Sequence, residues 1–314
     1  MPAAHRRAVL LSLLAAFLWA LYYLFVLEAK PGASPSATMV YPFVFGGVAY
    51  AVYAEVRHQG PAFRRLWTRS SAWLRTGVLV AMQLSVLATT YLAGPVDSSL
   101  LSLIGDVVLT PVIVALLWAS HRGNIGTGWF TVGCALSLVG GGLTIVGGQS
   151  LGRVEGWAWL VVPAVPLTVA LYFLLSAQEN ERTSELAVVG QSMAAAALLT
   201  VVLSPLIPGG FGTLATVTPE ALVLLALCGV TSFFLAPLLY FRAIAEAGIV
   251  IPPMMMTGIP VFTLLLSAFV LGLGLPLVAV LGIPIAVAGA LLTLQGESSP
   301  GAPPPRAPSG PGAG

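Results

Sequence analysis

Ten predominantly apolar stretches of about 20 residues follow one another along this chain, separated by short polar or Pro/Gly-rich breaks. They cover 8–27, 37–56, 72–93, 97–119, 126–147, 156–176, 186–207, 219–241, 249–271 and 275–295. Backbone polar groups in hydrocarbon must be satisfied within a helix or a closed barrel. No ten-residue dyad alternation recurs, so the barrel fails and each stretch reads as a helix. Of the 314 residues 58% are hydrophobic and 8% charged, against roughly a quarter charged in soluble domains. The chain therefore reads as an all-α membrane protein with ten transmembrane helices. The first stretch follows His5, Arg6 and Arg7 but is longer than the apolar core of a secretory signal, so it reads as a retained helix.

Charge placement sets the expected topology. Arg6, Arg7, Arg57, Arg64, Arg65, Arg69, Arg75, Arg122, Arg182, Arg242 and Arg306 fall on one side of the ten crossings, and Lys30 and Arg153 on the other. The positive-inside rule then puts both termini in the cytoplasm. The same scatter provides no polyanion-binding patch, so no nucleic-acid partner is expected. Cys134 and Cys228 have no thiol or histidine at ligand spacing and read as small packing residues, with no metal and no cofactor. The segment 297–314, rich in Pro, Gly, Ala and Ser, reads as a disordered tail.

An offset of 149 residues aligns the segment from Tyr91 with that from Tyr240 without a gap, pairing Asp97 with Glu246 and Pro111 with Pro260. The same offset pairs Gly123 with Gly272, Gly133 with Gly282, Gly140 with Gly289, Thr144 with Thr293 and Tyr23 with Tyr172. Shared composition would not hold one offset over most of each half. The expected organisation is thus a first five-helix repeat over 1–150 and a second over 151–296. Five crossings is an odd number, so the second copy enters from the opposite face and the repeats are inverted. Such a molecule has two similar conformations open to opposite sides, which is what a transporter requires.

On these features the chain resembles the EamA-type branch of the drug/metabolite transporter superfamily. The resemblance runs from about residue 8 to residue 296. It rests on the duplication, on the first helix LLAAFLWALYYLF, and on the segments that follow Pro111 and Pro260 into glycine-rich closing helices. Asn124 and Leu273 replace the acidic residue of the family's Leu-Gly-Glu signature. The resemblance implies secondary transport in the inner (plasma) membrane, commonly export of amino acids or related metabolites, through a central cavity lined by both halves.

Ser99, Ser102, Asp106 and Thr110 recur at spacings of three and four, which puts them on one face of a regular helix. An ionised Asp at membrane depth is costly and should face a watery cavity or a partner. Asp106 is therefore the candidate for proton coupling or for holding a substrate amine; the alternative is a protonated, purely structural Asp. Its repeat mate is Met255. Trp19 and Tyr23 on helix 1, with Thr168 and Tyr172 on helix 6, combine aromatic surface with hydrogen-bonding tips, as an amphipathic substrate would need; interhelical packing is the competing role. Gln83 and Ser232 hold equivalent positions in helices 3 and 8. Arg242 and Glu246, one turn apart, read as a local ion pair, with a gate as the alternative. Pro163, Pro166, Pro237 and Pro284 interrupt further spans and can supply hinges. Gly133, Ser137, Gly140 and Gly141, echoed by Gly282, Ala286 and Gly289, favour close helix contact within the monomer or at a homodimer interface.

Apart from Arg242 near an end, no Lys or Arg is counted within a span. That absence predicts a neutral, zwitterionic or cationic small-molecule substrate rather than a phosphorylated one. The competing class is a polytopic enzyme acting on a lipid or prenyl substrate. His5, His58 and His121 are scattered, and no paired-Asp, nucleotide-loop or nucleophile motif accompanies them, so no enzyme activity is expected.

Overall fold

The computed structural model describes residues 3–92, 94–109, 113, 128–148, 161–180, 184–247, 252, 255–256, 258–272, 274 and 277–297. Thr110, Pro111, Arg122, Arg153, Arg182, Arg306 and the tail beyond Glu297 lie outside this set, as do the side chains of Asp97 and Asp106.

Every regular element among the described residues is helical. In chain order they are α1 (Ala3–Ala29), α2 (Pro35–Val56), α3 (Gly60–Leu66), α4 (Ser70–Leu92) and α5 (Pro95–Leu103), which runs into a π-helical stretch, Ile104–Leu109. Then come α6 (Gly128–Gly148), α7 (Val161–Asn180), α8 (Glu185–Leu203) and α9 (Pro219–Cys228), continued by a second π stretch, Gly229–Leu235, and α10 (Ala236–Ala247). Helices α11 (Gly258–Phe269) and α12 (Leu277–Glu297) follow, and two short 3-10 turns, Ser204–Leu206 and Phe211–Thr216, lie between α8 and α9. Starts are set by the local sequence. Ser34, Ser184 and Thr218 each turn a hydroxyl back to the backbone N–H three residues on, and Pro35 and Pro219 occupy first helical positions where no N–H is needed.

Five of these helical runs are long and apolar enough to cross a bilayer: Arg6–Ala29, Pro35–Val56, Ser70–Leu92, Leu186–Leu206 and Pro219–Glu246. Shorter apolar helices, Thr131–Gly140, Pro163–Ser176, Gly258–Phe269 and Val280–Gly289, occupy the regions of the fifth, sixth, ninth and tenth expected spans. The outer face carries large apolar side chains such as Val202, Leu206, Phe269 and Leu277, each more than two-thirds exposed. A surface of that kind is stable in lipid and not in water. The protein is a multi-pass membrane protein.

Arg75 corrects the sequence reading. It lies in the second turn of α4 rather than in a connection, and its side chain is 1% exposed. The helix that carries Ser99 and Ser102 passes at Ile104 into a π stretch, Ile104–Leu109, whose turns hold more residues than α turns. The rest of the expected stripe, the Asp106 side chain and Thr110, lies outside the described residues.

The closest helix contact joins α6 to α12. A methyl group on Gly140 would stand 2.6 Å from the Gly282 carbonyl oxygen, and one on Gly289 would stand 2.6 Å from the Gly133 carbonyl oxygen. Ser137 Oγ donates to the Ala286 carbonyl at 3.3 Å. The small residues thus seat these two helices against each other within one chain. Elsewhere α1 packs on α10 and α11, α4 on α7, and α2 on α8 and on the second π stretch. The main buried cluster runs through all of these contacts, from Tyr22, Tyr23 and Phe43 to Leu79, Tyr172, Met193, Phe233 and Tyr240.

Candidate functional site

At the centre of the bundle lies a cavity of about 100 Å³, measured as space open to the centres of water molecules, enough for several waters or a small organic group. One stripe of α4 lines it, Leu79, Met82, Gln83 and Val86, at the three- and four-residue spacing of a single helix face. Opposite are Trp19, Tyr22 and Tyr23 of α1 and Val169, Tyr172 and Phe173 of α7. Ser102 and Leu103 close one edge where α5 passes into its π stretch. Ser232 and Phe233 of the second π stretch, with Pro237 in the first turn of α10, close another. Met193 and the pair Met256 and Ile259 complete the wall.

The second π stretch reaches the cavity, and its widened turn frees backbone groups that side chains can satisfy. Tyr50 Oη donates to the Phe234 carbonyl at 3.0 Å, and Ser232 Oγ donates to the Leu18 carbonyl at 2.7 Å, tying the stretch to α2 and α1. Aromatic rings stiffen the wall. Trp19 meets Tyr240 edge-on with ring centroids 5.3 Å apart, Phe173 meets Tyr240 at 5.2 Å, and Tyr22 meets Tyr23 at 5.2 Å. Such pairs contribute about 0.5–1.5 kcal/mol each beyond the area they bury. The polar tips are few: Tyr23 Oη lies 3.4 Å from Ser102 Oγ, and Gln83 is buried. Among the described lining residues none is charged. Apolar walls with a few placed hydroxyls and an amide suit an amphipathic molecule.

Of the residues singled out from the sequence, the cavity brings together Trp19, Tyr23, Gln83, Ser102, Tyr172 and Ser232. Ser99 and Thr168 stand apart from it. Ser99 Oγ donates to the Val96 carbonyl, and Thr168 Oγ1 donates to the Ala164 carbonyl and lies 3.2 Å from Ser85 Oγ. Arg242 Nε donates to Glu246 at 3.2 Å, and Arg7 joins the same carboxylate at 3.5 Å. Sequence reasoning missed Tyr22, which sits next to Tyr23 and shares the wall, and the apolar lining residues, which carry no polar signal. It also missed Arg75. The signal was present, since position 75 falls inside the expected span 72–93.

Residues 156–295 match the EamA-like transporter family, the family that the sequence resembles. No curated protein matches the chain. A solved structure described only as "Crystal structure of protein" superimposes with a TM-score of 0.68 at 19% identity, over 92% of this chain and 97% of that one. At that identity the likeness bears on the fold alone.

Proposed function

We propose, on the premise that residues 156–295 belong to the EamA-like transporter family of the drug/metabolite transporter superfamily, that this protein is a secondary transporter. It exports a small amphipathic metabolite across the inner membrane by alternating access. The observation that carries this reading is the central cavity. Its walls come from α1, α4 and α5 before residue 150 and from α7, α8, α10 and α11 after it.

The ten-span inverted repeat is part of the proposal, and the reciprocity of contacts supports it. Gly140 abuts Gly282 and Ala286, while Gly289 abuts Gly133 and Ser137, each being the other's partner at an offset of 149. Packing of α1 on α10 likewise answers packing of α7 on α4. A two-fold axis generates such exchanged pairs. Cytoplasmic termini are supported by the grouping of Arg7, Arg242 and Glu246 at one end of α1, with Lys30 at the other.

A neutral, zwitterionic or cationic substrate is expected only if no cation lies within a span. Arg75 removes that condition, and the uncharged aromatic lining supports an amphipathic substrate instead. Asp106 remains the proposed proton-coupling residue. Uptake of a panel of radiolabelled amino acids and small amines into proteoliposomes, with and without a pH gradient, tests the reading. Saturable uptake is expected, and none across the panel by folded protein would overturn it. Asp106→Asn should abolish pH-driven uptake while sparing exchange at equal substrate; unchanged pH-driven uptake refutes that role.

A further inference from the structure

One helical turn from the cavity lies a layer of buried polar side chains that the transport reading does not use. On α4 the lining stripe Val86, Gln83, Leu79 continues to Arg75. Its Nε donates to Ser192 Oγ at 2.7 Å, and its Nη2 donates to Gln191 Oε1 at 2.9 Å and to the Val188 carbonyl at 3.2 Å. These partners are neutral. Gln191 and Ser192 immediately precede Met193 of the cavity wall, and on α7 the lining residue Tyr172 is followed one turn later by Ser176 and then by Glu179. Tyr172 and Glu179 both lie within electrostatic range of Arg75. The Glu179 carboxylate, however, is taken by Arg69 in a direct ion pair. Arg69 is half exposed to solvent, so among the described residues the buried Arg75 guanidinium has no carboxylate in direct contact with it.

Three polar atoms of the same layer are buried without a hydrogen-bond partner: Tyr172 Oη, Ser176 Oγ and Gln191 Nε2. Tyr172 and Ser176 are neighbours one turn apart on α7, close enough for their hydroxyls to interact, and neither reaches any other side chain or carbonyl. The orientation of the Gln191 amide follows from its oxygen accepting from Arg75, which leaves the Nε2 group as a donor. A buried donor with no acceptor is destabilising, and a buried charge without a counter-charge in contact is more so. Orphans gathered in one place, all able to donate and set beside a guanidinium, describe the surroundings of an oxyanion.

We propose that Arg75, Tyr172, Ser176 and Gln191 form an oxyanion subsite that takes a monovalent carboxylate of the transported molecule, the apolar remainder lying against Trp19 and Phe173. The subsite rests on the transporter reading and adds to it the charge of the substrate.

The test is equilibrium binding to the purified full chain of three probes with one apolar body: 3-phenylpropanoate, 3-phenylpropanamide and 3-phenylpropylamine. The carboxylate should bind about tenfold more tightly than the amide or better, with the amine weakest. Gln191→Glu places a permanent carboxylate beside Arg75. It should erase the preference for the anionic probe without lowering the melting temperature. Tyr172→Phe keeps the ring and should weaken the carboxylate while leaving the amide unchanged. Equal affinity for carboxylate and amide overturns the subsite, as does a preference that survives in folded Gln191→Glu protein. Binding of none of the three overturns it also, while saturable uptake in the vesicle panel would still uphold the transporter. Occupancy by chloride that 3-phenylpropanoate does not displace would make the site one for an inorganic ion, and the proposal fails.

Discussion

Replacing Gly140 by Ala adds one methyl group where α6 and α12 touch backbone to backbone. The new Cβ would stand 2.6 Å from the Gly282 carbonyl oxygen and 2.7 Å from Ala286 Cα. Ordinary contact begins near 3.4 Å and the Ala286 backbone nitrogen stands closer still, so the helices must part by at least about 0.8 Å, and a gap of that size forfeits a quarter to a half of each dispersion contact along the seam. Neither obstacle is the yielding end of a side chain, so the cost should reach about 1–3 kcal/mol. Gly289→Ala meets the Gly133 carbonyl at the same 2.6 Å and should cost as much. Both changes force the same separation, so the double variant should cost less than the two together by at least about 0.5 kcal/mol. Thermal unfolding in detergent reads this as losses of about 2 °C per kcal/mol for a chain of this size. Gly77→Ala, in α4 with nothing within 4 Å of the added methyl, is the control and should be neutral or stabilising. Neutral variants at 140 and 289, or costs that simply add, would refute the close seam.

The Arg69–Glu179 pair joins the connection before α4 to the end of α7, and Glu179 is the buried member. Arg69→Ala strands a buried carboxylate and should lower stability by about 1–2 kcal/mol, whereas Glu179→Gln should cost less; equal losses in thermal unfolding would contradict this. Tyr50→Phe removes the donor to the Phe234 carbonyl in the second π stretch and should cost about 1 kcal/mol in the same assay. Trp19→Ala removes an aromatic wall shared with Phe173 and Tyr240. It should raise the KM for uptake in vesicles, and an unchanged KM would place Trp19 outside the substrate path. Cys228, fully buried between α9 and its π stretch, should resist maleimide labelling until the protein is unfolded.

The residues themselves determined the solvent. Long apolar runs with very few charges inside them form helices in lipid, because hydropathy and hydrogen-bond satisfaction act locally. The resemblance to the EamA-like transporter family, whose model matches residues 156–295, was legible for a related reason: the features that carry it are contiguous in sequence, as in the glycine-rich closing helix. The glycines at 133, 140, 282 and 289 announced a close contact, yet packing alone decided that the contact lies inside one chain. Six of the ten singled-out side chains share the cavity because polar tips on an apolar helix are visible in sequence. Ser99 and Thr168 are equally polar but satisfy their own helices, and a spacing rule cannot tell these cases apart. The π stretches came only from three-dimensional packing, since one extra residue in a turn shifts every later position and leaves no mark on composition. Arg75 shows the same division most sharply. Its place near the start of a span suggested a loop charge, and only the folded chain, by setting α8 against α4, turned it into a buried cation surrounded by donors without partners.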